Sequence, residues 1–379
     1  MAYNLYLYRS WFPHLAAGKI WLNHAAVSPL SSRVTRVINN YVSDRAVDHI
    51  DVFPGVLKSI QHTKSNLAAL INTTPDRIAF VTNTSEGLNI LASGLDWKSG
   101  DRILLNDSEF PANVVPFLNL KHLGVETDFV KSSNGKISVE NIEAAITPRT
   151  KLLSISFVQF LSGFKADLVA IGKLCKRHNI IFCVDSIQGL GASPLDVQKA
   201  QIDFLSNGGN KWLMGLMGLG FIFITNELQE RIQQSHAGWT SNKEYFSNLF
   251  QYRIDFDNTA RRFELGTQNF LAVAALEEST SLLLEVGIEN IEQHLHSVTE
   301  RIFSFADENG IEVLTPHDRS QRAGIVTLKH PRAKEIFQEL NENRIVTALR
   351  EGMLRIAPHF YNADEDIDVL FSILRMSIA

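Results

Sequence analysis

Two neighbouring stretches of this 379-residue chain decide its fold: residues 180–191 read IIFCVDSIQGLG, and residues 203–215 read DFLSNGGNKWLMG. In each, a short apolar run ends at polar residues, which is typical of a strand covered on both faces of a parallel sheet. The first run ends in Asp185, and the second leads into a glycine-rich turn that presents Lys211. Because ligands bind outside the carboxyl ends of such strands, we expect both side chains to point into one pocket.

The same alternation of apolar runs and helical segments continues over residues 77–225. It predicts an α/β protein with a mostly parallel seven-stranded sheet flanked by helices. The predicted strands are 78–82, 102–105, 127–130, 152–157, 180–184, 204–206 and 220–224, and the predicted helices between them are 86–95, 112–123, 139–145 and 167–177.

The pattern changes after the predicted sheet. A polar stretch and a long helix at about 267–286 lead into a smaller α+β region. We therefore expect a large domain at 21–260 and a small C-terminal domain at 261–379, on which residues 1–20 pack.

Composition excludes several classes of protein. With 45% apolar and 20% charged residues the chain can bury a core, so it is not a disordered protein. A net charge of −5 without basic runs gives no footprint for nucleic acid, and no run is long enough to span a membrane. The two cysteines, Cys175 and Cys183, fit a reduced compartment, so we expect a cytoplasmic protein; no metal site is expected.

A buried carboxylate and a buried amine beside one ligand are what pyridoxal phosphate requires. The amine of Lys211 would form a Schiff base, and Asp185 would keep the pyridine nitrogen protonated. Taken alone, the two residues favour a helix cap and a surface lysine beside a glycine turn, because both features are common in proteins.

A second segment favours the cofactor. In IAFVTNTSEGLNIL, residues 78–91, a strand runs into Thr84 and Ser85 at the start of a helix. Backbone N–H groups and hydroxyls at a helix amino terminus can cradle a phosphate. The same residues are compatible with a simple helix cap, in which Asn83 and Glu86, three residues later, cap the helix start together.

Together these segments resemble the class V aminotransferases of the fold type I pyridoxal-phosphate enzymes, a group that includes cysteine desulfurases, isopenicillin N epimerase and kynureninase. The resemblance runs from WLNHAAVSPL at residues 21–30 to RIAPHFYNADEDID at residues 355–368. It implies pyridoxal 5'-phosphate as cofactor, a small amino acid as substrate and a homodimer with shared active sites, without a nucleic-acid or membrane partner.

The resemblance also assigns roles to single residues around the cofactor ring. Lys211 matches the Schiff-base lysine, and Asp185 matches the partner of the pyridine nitrogen. Gln188 would face the phenolic oxygen, and Phe110, in SEFPANVVPF, would stack on the ring.

Further positions match residues that the family places at the phosphate or the substrate. Those at the phosphate are Thr84, Ser85, Trp239 and, reaching the neighbouring subunit, Thr267 in RRFELGTQN. Before the lysine many relatives carry Ser-Gly-His where Gly208-Gly209-Asn210 stands here, so a hydroxyl and an imidazole ligand are lost, but Asn210 can still donate one hydrogen bond to the phosphate. Arg355 matches the arginine that binds the substrate's α-carboxylate, with a surface ion pair as the alternative. His24 would line the substrate pocket, with a buried core histidine as the alternative; a lone tryptophan such as Trp239 is also often a core residue.

Departures from the family pattern narrow the reaction. Desulfurases carry a histidine where Phe110 stands and a nucleophilic cysteine on the loop before the arginine, but here that loop, residues 346–355, reads VTALREGMLR. We therefore favour aminotransferase or C–S/β-lyase chemistry over a desulfurase or an epimerase. A non-catalytic binding or regulatory protein of this fold is disfavoured because Lys211 and Asp185 both remain.

Overall fold

The computed structural model of the chain describes residues 3–47, 50, 53–247 and 249–378. The strands are β1 (Ile20–Trp21), β2 (Ile78–Val81), β3 (Arg102–Asn106), β4 (Glu126–Val130), β5 (Thr150–Ser156), β6 (Ile181–Asp185), β7 (Phe204–Gly208), β8 (Gly220–Ile224), β9 (Glu312–Val313), β10 (Val326–Lys329), β11 (Ile345–Val346), β12 (Ala348–Arg350) and β13 (Met353–Ile356). The α-helices are α1 (Leu5–Ser10), α2 (Pro13–Ala16), α3 (Ser32–Val47), α4 (Phe53–Ile71), α5 (Thr84–Gly94), α6 (Val115–Leu118), α7 (Val139–Ala145), α8 (Leu168–Arg177), α9 (Asn226–Arg231), α10 (Phe270–Val286), α11 (Ile288–Glu308), α12 (Ala333–Glu342) and α13 (Asp364–Ile378).

The large sheet has seven strands in the order β2-β8-β7-β6-β5-β3-β4. Strands β4, β3, β5, β6 and β7 run parallel, whereas β8 pairs antiparallel with both β7 and β2. Strands β6, β7 and β8 are buried at every position. The prediction of a mostly parallel seven-stranded sheet is thus confirmed, because strands covered on both faces leave continuous apolar runs in the sequence.

Two apolar layers cover this sheet. Helices α4, α8 and α10 pack on one face, and α5, α6 and α9 pack on the other. Both faces are therefore closed, and polar groups can gather only where the strands end.

The predicted helix at 112–123 is wrong as a single element. The chain instead forms a 3₁₀ turn at Pro111–Asn113, the short helix α6 and another 3₁₀ turn at Asn119–Leu123. Pro116 explains the break, because proline donates no backbone hydrogen bond and its ring clashes with the preceding turn of a continuous helix.

The C-terminal part forms a smaller α+β unit, as predicted. A four-stranded antiparallel sheet, β12-β13-β10-β9, packs with α11, α12 and α13 around its own apolar cluster. Near the amino terminus, Arg9 pairs with Asp366 at 2.6 Å, and the Tyr3 hydroxyl donates to the Phe360 carbonyl oxygen. Helix α10 packs on α3 and α4. The predicted boundary between the large and the small domain at residues 260/261 stays a prediction. Among the helices of the described segments, none combines the length and apolar character needed to cross a bilayer.

Candidate active site

The carboxyl ends of β6 and β7 bring Asp185 and Lys211 to one edge of the sheet. Asp185 ends β6 beside Ser206 of β7, and Lys211 follows the end of β7 by three residues. The intervening turn needs glycine, because a Cβ on Gly209 would lie only 3.0 Å from the Leu219 carbonyl oxygen. The sheet register therefore brings the carboxylate and the amine to the same edge of the sheet.

Lys211 is a largely buried lysine. Burial lowers the pKa of its amine from 10.5 to about 8, the charge of Asp185 opposes this shift, and Arg355 and Arg350 add to it. Within the residues that the structure describes, no carboxylate forms an ion pair with the amine, whose Nζ lies 5.6 Å from the centre of the Phe110 ring. A substantial neutral fraction of the amine at mild pH is what a nucleophile or a proton acceptor needs.

Asp185 is buried with most of its hydrogen-bonding capacity unused. The backbone N–H of Ile187 donates to Oδ1 at 3.0 Å. Burial raises the pKa of this carboxyl to about 7, the Ile187 hydrogen bond opposes the rise, and the nearby Glu109 adds to it. No described residue donates a hydrogen bond to the other oxygen, which can therefore accept from a charged N–H donor such as a protonated pyridine.

The start of α5 and the end of β7 form a small polar cradle. The Thr84 Oγ1 atom is buried and has no hydrogen-bond partner in the described part of the chain. A Cβ on Gly208 would lie 3.3 Å from this oxygen and 3.4 Å from Asn210 Oδ1, so the glycine keeps the space between them open. An unpartnered hydroxyl beside an amide and the helix start fits a phosphate, and Ser85 follows Thr84 in the first turn.

Gln188 is held by hydrogen bonds on both atoms of its side-chain amide. Its Nε2 donates to the Ala25 carbonyl oxygen at 2.9 Å, and its Oε1 accepts from Trp212 Nε1 at 3.0 Å. One amide N–H remains available, because a side-chain amide carries two.

Arg355 is buried, close enough to Lys211 for its charge to lower the pKa of the lysine. Its Nη1 donates to the Phe160 carbonyl oxygen at 2.7 Å, and its Nε has no hydrogen-bond partner among the described residues. Burial lowers the pKa of the guanidinium to about 10, and Arg350 adds to the shift. The Phe160 ring packs edge-on against the Phe110 ring, with 5.3 Å between the ring centres. Phe110 and Phe160 therefore lie between the Lys211 amine and Arg355 in a chain of contacts. A buried guanidinium without an acidic partner is suited to receive a carboxylate.

The surroundings of three further sequence-predicted residues, His24, Trp239 and Thr267, differ from one another. His24 is fully buried, and its ring nitrogens contact the Ala357 carbonyl oxygen and the Tyr361 hydroxyl, both at 2.9 Å. Burial holds the pKa of His24 well below its ordinary value. Trp239 is 44% exposed and packs on Tyr245, and Thr267 is exposed. The sequence-predicted roles of these residues stay predictions.

The sequence interpretation overlooked Glu109. Its carboxylate accepts hydrogen bonds from the Ser156 N–H at 2.8 Å and from Gln159 Nε2 at 2.9 Å, and it immediately precedes Phe110. Its charge also contributes to the raised pKa of Asp185. An acidic residue between a strand end and the predicted stacking ring was the signal that could have identified it.

The two cysteines are unsuited to receive sulfur. Cys175 and Cys183 are free and buried. Burial raises the pKa of the Cys175 thiol to about 12, and it also raises that of Cys183. Such thiols carry little thiolate and react poorly.

Comparisons with known proteins agree with this geometry. The family model described as aminotransferase class-V matches residues 20–378. The chain is 28% identical over 360 residues to the uncharacterized aminotransferase YcbU of Bacillus subtilis, covering 95% of this chain and 94% of that protein. It is 26% identical over 381 residues to a probable cysteine desulfurase of Methanothermobacter thermautotrophicus, covering 93% of this chain and 92% of that protein.

Solved structures share the fold at lower identity. The apo cysteine desulfurase from Thermococcus onnurineus superposes with a TM-score of 0.89 at 23% identity, covering 98% of this chain and 97% of that one. The cystine C–S lyase C-DES, in complex with cysteine persulfide, gives a TM-score of 0.88 at 24% identity, covering 96% and 98%. With the family match across nearly all of its length, the chain belongs to the class-V aminotransferases and is a pyridoxal-phosphate-dependent enzyme of the fold type I architecture.

Proposed function

We propose that the enzyme acts on a small amino acid whose free α-carboxylate is bound by Arg355, through aminotransferase or C–S/β-lyase chemistry. One observation carries the substrate class: the Arg355 guanidinium is buried near Lys211 and pairs with no acidic side chain of the described residues. A buried unpaired charge is costly, and a bound carboxylate would offset that cost with charge-assisted hydrogen bonds.

The polar groups of the site fit the cofactor. When bound, pyridoxal phosphate supplies an electron sink that stabilises negative charge at the substrate's α-carbon. The unpartnered Thr84 hydroxyl and the open Asp185 oxygen support this fit. The residues that would hold the cofactor are Lys211, Asp185, Gln188, Phe110, Thr84, Ser85 and Asn210.

Lys211 carries the proton transfers in this proposal. With a pKa of about 8 its amine can accept a proton from the substrate's α-carbon at Nζ and return it. Phe110, the ring nearest to Nζ, offers packing but no titratable group. Acid and base work on this side therefore falls to the lysine.

Sulfur release, where it occurs, would not pass through an enzyme thiol. Cys175 and Cys183 are buried with raised pKa values, and residues 346–355 contain no cysteine. Cysteine would then yield pyruvate by elimination, whereas transfer to an enzyme thiol would yield alanine. Replacing both cysteines by alanine should leave turnover essentially unchanged.

We further propose a homodimer in which Thr267 serves the phosphate of the neighbouring subunit. Thr267 is exposed, and exposed apolar side chains lie in the segment before it, including Trp239 at 44%, Leu249 at 63% and Tyr252 at 90%. Mixing Lys211→Ala and Thr267→Ala chains should restore activity through heterodimers. An active monomer in light scattering would contradict the shared site.

The decisive experiment joins covalent trapping with product analysis. Borohydride treatment of the purified enzyme, followed by peptide mass spectrometry, should place the cofactor on Lys211, and Lys211→Ala should lose this adduct. A panel of amino acids, assayed for keto acid, sulfide and alanine, then identifies the reaction. A protein persulfide together with stoichiometric alanine from cysteine would contradict the proposal and favour a desulfurase.

A further inference from the structure

Gln188 can hold only one orientation of its side-chain amide. An indole N–H only donates and a backbone carbonyl oxygen only accepts. Trp212 Nε1 faces the Gln188 oxygen at 3.0 Å, and the Ala25 carbonyl oxygen faces the Gln188 nitrogen at 2.9 Å. Rotating the amide by half a turn would set donor against donor and acceptor against acceptor, in a site where Gln188 is 4% exposed.

Trp212 is itself fixed from several sides. The side chain is fully buried, and a Cβ on Gly324 would lie 2.6 Å from the indole Cη2, so that glycine makes room for the ring. The Trp212 carbonyl oxygen contacts His359 Nε2 at 3.1 Å. Nδ1 of His359 accepts from the Phe360 N–H at 2.8 Å, so Nε2 carries the proton and donates. The C-terminal part of the chain thus anchors the residue that follows the catalytic lysine.

We infer that Trp212 is a positioning residue, which holds Gln188 so that its free N–H is presented to the cofactor's phenolic oxygen. This inference rests on the proposed function, because it takes Gln188 as the residue at that oxygen. An N–H that donates to an anionic oxygen stabilises its negative charge and weakens its hold on a nearby proton. Without the indole donor the Gln188 oxygen loses its partner, and the Ala25 hydrogen bond alone holds the amide, so the direction of its free N–H is no longer fixed.

The test is a pH titration of the visible absorbance of the cofactor-loaded enzyme, which reports the pKa of the lysine–cofactor linkage without turnover. Trp212→Phe keeps a buried aromatic ring and removes the donor, and we expect the pKa to rise by about one unit, as for the loss of one hydrogen bond to a charged group. Gln188→Leu should give the same rise. In the double variant the pKa should rise no further than in either single variant, because both changes remove the same interaction.

A matched control comes from another indole. Trp97 Nε1 donates to the Ala92 carbonyl oxygen at 2.6 Å in a partly buried position, and Trp97→Phe should leave the pKa unchanged. If Trp212→Phe does not fold, 3-benzothienylalanine at position 212 keeps the fused-ring shape and removes only the N–H.

The outcomes separate the inference from the proposed function. An unchanged pKa in the donor-free Trp212 variant, or additive shifts in the double variant, would overturn the inference. A Gln188→Leu enzyme with the wild-type pKa would overturn it too, whatever Trp212→Phe does. A borohydride-reducible cofactor adduct on another lysine of the Lys211→Ala variant would instead contradict the proposed function.

Discussion

Two buried lysines of this chain differ in what neutralises them. Lys64 Nζ lies 2.7 Å from Glu264 Oε1, and the two side chains are 8% and 6% exposed. Glu264 also accepts the Phe80 N–H at 2.9 Å, so this charge pair is complete within the fold. Lys211 is largely buried as well, but no described carboxylate pairs with it, and the pKa of its amine falls to about 8.

The difference separates a structural charge from a functional one. Burying a charge costs free energy, and an internal partner with good geometry compensates that cost. The Lys64–Glu264 pair joins α4 to the segment before α10 and leaves nothing for a ligand to complete. Among the described residues Lys211 and Arg355 have no acidic partner of this kind, and in the proposed function their charges serve the cofactor and the substrate. Each prediction below tests one side of this contrast.

Removing the unpaired lysine should give the largest effect on activity. Lys211→Ala should lower kcat by at least about 10³-fold, since acid–base catalysis alone contributes about 10²–10⁴ and the covalent link is lost too. The same change removes a costly buried charge, so the folded state should not lose stability. Steady-state kinetics and urea unfolding of Lys211→Ala beside Lys211→Met would check both. A destabilised fold would place Lys211 with the structural lysines.

Removing the paired lysine, Lys64, should lower the stability of the fold. Lys64→Ala should destabilise the fold by about 3–5 kcal/mol, because Glu264 is left buried without its partner. Urea unfolding measures this loss. The control is Lys64→Met with Glu264→Gln, which removes both charges and keeps an acceptor for the Phe80 N–H. A control as unstable as Lys64→Ala would show that packing, and not the orphaned charge, causes the loss.

Arg355 should affect substrate binding more than the fold. Arg355→Ala should cost about 2–5 kcal/mol of substrate binding, seen as a large rise in KM for amino acids. Covalent attachment of the cofactor at Lys211 should persist. The control is Arg322→Ala, because Arg322 is equally buried but pairs with Glu300 at 2.5 Å, so its loss should lower stability instead. Equal turnover of amino acids and their carboxylate-free amines by the wild type would exclude the proposed clamp.

The smallest effect is a pH dependence of stability in the cofactor-free protein. Between pH 8 and 10.5 the unfolded chain holds the Lys211 proton that the folded chain has released, so stability should rise with pH. Between pH 3.8 and 7 the folded chain holds the Asp185 proton that the unfolded chain has released, so stability should fall as pH rises. The lysine contributes up to about 3 kcal/mol. The free energy of unfolding of wild type, Lys211→Met and Asp185→Asn should be measured across these pH ranges. Lys211→Met should lose the rise between pH 8 and 10.5, and Asp185→Asn should lose the fall between pH 3.8 and 7. A variant that keeps the wild-type pH dependence would contradict the assignment of that residue.

Much of the fold was predictable because burial leaves a strong pattern. The strands of the large sheet lie in apolar runs, and Asp185 and Lys211 follow two of them as required by an open α/β sheet. The break around α6 was missed, although Pro116 was visible in the sequence. Strands β1 and β9 have two residues each, which is too short for any alternating pattern to be read.

The candidate site was only partly predictable. The residues of the lysine turn and the phosphate turn follow strand ends, so local sequence located them. Glu109 and Trp212 contact residues far away in the chain, such as Ser156 and Gln188. No local pattern encodes such contacts.

The sequence by itself determined the alternation that builds the sheet, the positions of Asp185 and Lys211 at its edge, and the absence of a cysteine in residues 346–355. Only the tertiary structure decided which buried charges have partners. Lys64 finds Glu264 two hundred residues along the chain, whereas Arg355 meets a backbone carbonyl oxygen and no acid of the described residues. The physical reason is that hydrophobic patterning acts over a few neighbouring residues, while the neutralisation of a charge depends on the few ångströms that separate it from residues distant in sequence.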